Sequence, residues 1–129
     1  MKIIEPYIGE AEVIFEYEDC DSFDHLPYEF CRQTYAVCYL ENLKDIVIVH
    51  NGKKDTWGLI GGTIEKGESF EETLKREIHE EGNLELLQWK PIGVQKVINI
   101  KDNSFIYQLR FVAKARAYGP FESDVGSVD

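Results

Sequence analysis

Gly62-Thr-Ile-Glu-Lys-Gly-Glu-Ser-Phe-Glu-Glu-Thr-Leu-Lys-Arg-Glu-Ile-His-Glu-Glu-Gly-Asn-Leu84 is a glycine loop opening into a short acidic helix. Ser69 followed by Glu72 three residues later is a capping box, in which each side chain satisfies a backbone N–H of the other. The spacing predicts a helix over 70–82, ended by Gly82-Asn83, residue types that tolerate the left-handed cap position. At about 100° per residue, Phe70, Leu74 and Ile78 share one arc, which should face a sheet. Glu77 and Glu81 fall inside or beside that arc, Glu80 lies just off it, and Lys75 and Arg76 lie further round. Buried unpaired carboxylates cost several kcal/mol, and two together repel. A divalent cation removes both penalties, and carboxylates at i, i+3 and i+4 can be offered to one or two ions. Ordinary surface pairing, Arg76 with Glu80 or Lys75 with Glu72, is the simpler alternative.

Outward from this helix the chain reads as mostly β. Residues 11–18 alternate partly and read as a strand with one wet face; 19–28 reads as a loop. The apolar runs 35–40 and 45–50 predict a hairpin closed near Asn42 to Asp45, and Asn51-Gly52 marks the next turn. Residues 56–62 begin extended and end in two glycines, where backbone bends or approaches something closely. Residues 85–99 read as one or two irregular strands, with Pro91 demanding an edge or a break. Residues 101–103 form a turn, and 105–115 alternate as a long strand ended by Gly119-Pro120. The expectation is one α+β domain over 1–129, a mixed sheet with a helix packed on it.

The chain's 129 residues suffice for a core without disulfide staples. A formal charge of −10 argues against a nucleic-acid binder that tracks phosphate. It suits a protein holding Mg²⁺ or Mn²⁺, although acidity for solubility explains the charge equally simply. Cys20, Cys31 and Cys38 are odd in number and lack a Cys-x-x-Cys pair, so reduced thiols and a cytoplasmic location are expected. The N-terminus does not read as a signal peptide, and no apolar run reaches the roughly 18–20 residues of a membrane span.

The spacing of the opening stretch resembles the Nudix box: Gly, five residues, Glu, seven residues, Arg-Glu, apolar, any, Glu-Glu, any, Gly, apolar. The matching positions are Gly62, Glu68, Arg76-Glu77, Ile78, Glu80-Glu81 and Leu84. The final glycine is displaced to Gly82, with Asn83 in its place, and Ile60 stands where the family usually has proline. The resemblance implies a mixed sheet sandwiched between helices, with a loop-helix-loop box. It also implies Mg²⁺- or Mn²⁺-dependent hydrolysis of a nucleoside diphosphate linked to another group, X. On that resemblance Glu77, Glu80 and Glu81 are metal-binding acids, the Gly62 carbonyl is a further ligand, and Glu68 with Arg76 supports the loop. Glu77 is the first candidate for the general base. Some members place the base on a later loop, where this chain has Glu122 and Asp124; a solvated tail is an equally good reading of those two.

Substrate marks are weak. A proline about sixteen residues after the box suggests ADP-ribose hydrolases, but Ile100 stands there; Tyr107 lies too far along for the dinucleoside polyphosphate mark. What remains points to a MutT-like nucleoside triphosphate pyrophosphatase. Tyr35, Tyr39, Trp57 and Tyr107 are candidates to stack a base, although strand aromatics are more often core. Arg32, Arg110, Lys53 and Lys54 are candidate phosphate contacts. His25, His50 and His79 show no ligand spacing and receive no role. Nudix domains usually close with a further strand and helix, which this chain lacks after its acidic tail. It reads as a minimal version, a truncated one, or one completed by a partner subunit, for which a homodimer would serve. Two functions compete: a metal-dependent pyrophosphohydrolase acting on a small nucleotide, and a Nudix-like nucleotide-binding or regulatory module without turnover.

Overall fold

A computed structural model describes residues 2–5, 12–53 and 55–118. The strands are β1 (Lys2–Glu5), β2 (Val13–Asp19), β3 (Cys31–Leu40), β4 (Ile46–Asn51), β5 (Thr56–Thr63), β6 (Leu84–Asn99) and β7 (Phe105–Ala117); α1 spans Phe70–Gly82. They form one mixed sheet in the order β1-β2-β6-β7-β3-β4-β5. All neighbours are antiparallel except β3 and β7, which run parallel from Cys31↔Tyr107 to Leu40↔Ala115.

The hairpin expected over 35–50 is present but short-lived. β3 and β4 pair at Cys38↔Val47 and Tyr39↔Ile46, around a turn in which Asn42 accepts from the backbone N–H groups of Lys44 and Asp45. β4 then leaves β3 and pairs with β5 from Ile48↔Leu59 to Asn51↔Thr56. The second half of β5 returns to β3, from Ala36↔Ile60 to Gln33↔Thr63. That return brings the Gly61-Gly62 backbone against β3.

α1 lies on one face of the sheet. Leu74 and Ile78 join Ala36, Cys38, Ile60, Leu109 and Phe111 in one buried cluster. This is the apolar arc read from the wheel, at a depth that typically stabilises by about 1.5–3 kcal/mol per large side chain. The segment before β3 folds over the start of the helix. Phe23 meets Phe70 and Phe111 edge-on at 5.9 and 5.2 Å, and Tyr28 stacks on Phe70 at 5.6 Å.

One expectation is corrected. The sheet is not sandwiched between helices among the described residues, where α1 is the one α-helix; the α+β class stands. Residues 84–99, expected as one or two irregular strands with an edge or a break at Pro91, form a single strand inside the sheet, with irregularities between Leu86 and Gln88 and a break between Pro91 and Gly93. Pro91 is tolerated because the β2 ladder stops at Asp19↔Gly93, so Pro91 faces β7 alone. The strand expected over 105–115 is β7; the Gly119-Pro120 stop expected after it and the acidic tail lie outside the described residues. Among the described residues no helix is long and apolar enough to cross a membrane.

Candidate active site

The site begins with the helix cap. Ser69 Oγ accepts from the Glu72 N–H at 3.1 Å, and Glu72 Oε1 accepts from the Ser69 N–H at 2.9 Å. At the other end Asn83 adopts φ 52°, and its N–H donates to the His79 carbonyl at 2.9 Å. Both termini stop where the residue types require, so the register of every acid on α1 is set.

Where the loop before the helix meets its middle turn, the charges are matched. Arg76 makes a two-pronged pair with Glu68, Nε to Oε2 at 2.7 Å and Nη2 to Oε1 at 2.9 Å. Nη2 also donates to the Thr63 carbonyl at 3.0 Å, tying the helix to the end of β5. Glu68 Oε1 accepts in addition from Thr73 Oγ1 at 2.8 Å and from the Glu65 N–H at 2.9 Å. These donors, the Arg76 guanidinium first, hold the Glu68 carboxyl down at about 2. The same pair keeps Arg76 more firmly protonated than a free arginine.

One turn on, the balance reverses. Gly61 donates its N–H to Glu81 Oε1 at 3.0 Å. A β-carbon at Gly62 would lie 2.7 Å from the Glu77 carboxyl group, so any other residue there pushes that side chain aside. Gly61, at φ +151°, leaves no room either: a β-carbon there would lie 2.0 Å from the Thr34 carbonyl oxygen. The two glycines thus let main chain pass between β3 and the helix acids. Burial pushes the Glu81 carboxyl up to about 7, against the Gly61 hydrogen bond, and the neighbouring Glu77 and Glu80 add to the rise.

The structure brings Glu77, Glu81 and Gly62 together. The Glu77 side chain is 13% exposed and accepts from Arg76 Nη1 at 2.9 Å. Glu80 is not in this group: its side chain is 55% exposed and turns to Arg76 Nη1 at 3.3 Å. Accordingly, no three acids, histidines or cysteines among the described residues converge as a ready ligand set for a metal ion. In donor type and charge the residues nevertheless fit a hard divalent cation. Two carboxylates meet beside an open glycine backbone, and one of them is held against ionisation until positive charge arrives. Glu122 and Asp124 lie outside the described residues.

Sequence reasoning overlooked the supports of this arrangement. Thr73 is fully buried and fixes Glu68, the Thr63 carbonyl anchors Arg76, and the Tyr28 hydroxyl donates to the Glu68 carbonyl at 2.6 Å. Only Thr73 left a trace, as a hydroxyl beside the apolar arc. Of the candidate phosphate contacts, Arg110 lies under the Tyr35 ring at 5.1 Å and hydrogen-bonds Gln108, while Arg32 is exposed. Cys20, Cys31 and Cys38 are free thiols; burial pushes the last two up to about 11, so both are unreactive.

The family model described as the NUDIX domain matches residues 32–122. Among solved structures, the Bacillus subtilis pyrophosphohydrolase BsRppH is 18% identical and superposes with a TM-score of 0.65, over 87% of this chain and 66% of that one. A NUDIX hydrolase from Nitrosomonas europaea is 20% identical with a TM-score of 0.53, over 77% of this chain and 66% of that one. The chain therefore spans 66% of the length of either structure. At these identities the likeness speaks for a shared fold.

Proposed function

This chain belongs to the NUDIX domain family, and we propose that it hydrolyses the phosphoric anhydride of a nucleoside diphosphate linked to X, with Mg²⁺ or Mn²⁺ as cofactor. Nudix hydrolases generally use divalent metals. The observation that carries the reading is the meeting of Glu77 and Glu81 over Gly61-Gly62, with Glu81 pushed up to about 7. An acidic pair placed at that energetic cost is understandable as half of a cation site.

In this reading Glu77, Glu81, the Gly62 carbonyl and Glu80, once turned from Arg76, hold the metal. When bound, the metal neutralises charge building on the phosphate oxygens and lowers the pKa of its water. Glu77 takes the proton of the attacking water, with Arg76 at 2.9 Å fixing the orientation of its carboxylate. Glu68 acts one step back, by keeping Arg76 in place. Glu122 is the alternative base. A nucleoside triphosphate, cut as by a MutT-like pyrophosphatase, is the first substrate to try.

A second reading, a nucleotide-binding or regulatory module without turnover, is favoured by one observation: Glu80 is engaged with Arg76, leaving two acids over the glycines. A phosphate-release screen with Mg²⁺ or Mn²⁺ separates the two. Nucleoside triphosphates, nucleotide sugars, ADP-ribose and dinucleoside polyphosphates form the panel. Turnover of at least one compound is expected, and metal binding without any turnover would hand the case to the second reading.

A further inference from the structure

We infer that the cavity shared by Glu81 and Trp57 receives the nucleobase of the substrate; this rests on the hydrolase reading above. The cavity measures about 780 Å³, within the size range of small-molecule sites. Val47, Val49 and Leu84, all packed on the core, give it an apolar lining. Glu81 borders it, so an occupant of the cavity is continuous with whatever lies over Gly61-Gly62.

The chemistry of the walls selects the occupant. Trp57 is 66% exposed, although it sits on a strand with an apolar cavity beside it. It pairs across the hairpin with His50, the two rings 4.8 Å apart and tilted by 46°. Together they make an aromatic wall with an uncovered indole face. A planar heteroaromatic ring uses such a face better than an aliphatic chain does, because stacking adds to area burial. Glu41 and Arg116 also border the cavity, offering an acceptor and donors to the polar edge of a base; Arg116 spends its Nε–H on Glu85 and retains its other N–H groups. The other candidate aromatics lie elsewhere: Tyr35 lies over Arg110, Tyr107 packs edge-on against Phe105, and Tyr39 borders a different cavity. Trp57 is therefore the stacking platform, and stacking accepts any base, which leaves base identity to the rim.

Fluorescence tests this directly, because the chain has two tryptophans and Trp89 borders a different cavity. In a Trp89→Phe background, emission from Trp57 is titrated with AMP, GMP, CMP, UMP and ribose 5-phosphate, with and without Mg²⁺. The nucleoside monophosphates should quench and ribose 5-phosphate should not. Ala117→Phe, at an exposed strand end bordering the cavity, should abolish the quenching. In the turnover assay Trp57→Ala should raise KM for nucleoside substrates by about 5- to 150-fold, the span of base–aromatic stacking, with kcat changed by less than about threefold. Equal quenching by ribose 5-phosphate, or none by any nucleotide, overturns the inference. Unchanged KM in Trp57→Ala beside normal wild-type turnover overturns it while leaving the hydrolase reading intact. Base-dependent quenching without turnover does the reverse.

Discussion

The loop that enters α1 and the last turn of α1 carry similar acids under opposite rules. Around Glu68 and Arg76 every charge has a partner, and the carboxyl is held at about 2. Around Glu77 and Glu81 acids are crowded against backbone, and one carboxyl is lifted to about 7. The first arrangement stabilises the fold as it stands. The second keeps one carboxyl protonated more readily than a free glutamate, and in the proposed reading a cation would take that proton's place. Arg76, touching both Glu68 and Glu77, joins the matched pair to the crowded one.

The largest break in this contrast comes from Glu81→Gln. Turnover should fall by about a thousandfold or more, because a buried acid needed for the cation is lost. The metal-free protein should at the same time melt at a higher temperature at pH 8, since a buried like charge has gone. Wild-type-like turnover would end the site assignment. Gly62→Ala comes next: displacing the Glu77 carboxyl should cost about 10- to 100-fold in kcat with little change in metal-free stability, measured by turnover and thermal melting. Glu68→Ala acts on the other side and should cost about 1.5–3 kcal/mol in urea unfolding, because Arg76 loses its two-pronged partner and keeps only the Thr63 carbonyl, Glu77 and Glu80. A loss below about 0.5 kcal/mol, the scale of an exposed pair, would remove Glu68 as an anchor.

The smallest effect, and the sharpest test of the contrast, is the pH dependence of metal-free stability. Glu81 rises from 4.5 to about 7 on folding, so the folded chain holds that proton more tightly. Its contribution therefore falls as pH climbs from 4.5 through 7, by about 1–2 kcal/mol after solvent screening. Glu68 moves from 4.5 down to about 2, so its contribution is full above 4.5 and disappears as pH drops through 2. Urea midpoints between pH 2 and 8 should show both slopes. The upper one should vanish in Glu81→Gln and the lower one in Glu68→Ala.

Much of this was legible in the residues because local rules govern it. Ser69, Glu72 and Asn83 set the ends of α1, and both ends fall where the cap chemistry puts them. Phe70, Leu74 and Ile78 gave the buried arc, and Glu77 and Glu81 stood out as acids on it. Long-range features were not legible. That β5 divides its pairing between β4 and β3 depends on how far the hairpin twists apart, which no local signal reports. Pro91 announced an edge or a break without saying which; the break is what forms, because a central strand can have one unpaired flank at a single position. Glu80 sat near Glu77 and Glu81 on the wheel, yet the competing reach of Arg76 decides its direction.

The parallel pairing of β3 with β7 has a further consequence, in time rather than in space. α1 and its caps need only neighbours a few residues away, whereas Gln33 and Gln108, joined at 2.6 Å across that pairing, are 75 positions apart in the chain. Contacts of such separation are closed late and slowly, since chain entropy must be surrendered before they contribute. The acidic helix is therefore ready early and waits for the sheet. The glycine backbone that confronts Glu77 and Glu81 is held by β3, so a chain that has made every local contact still lacks its site until β3 and β5 have paired.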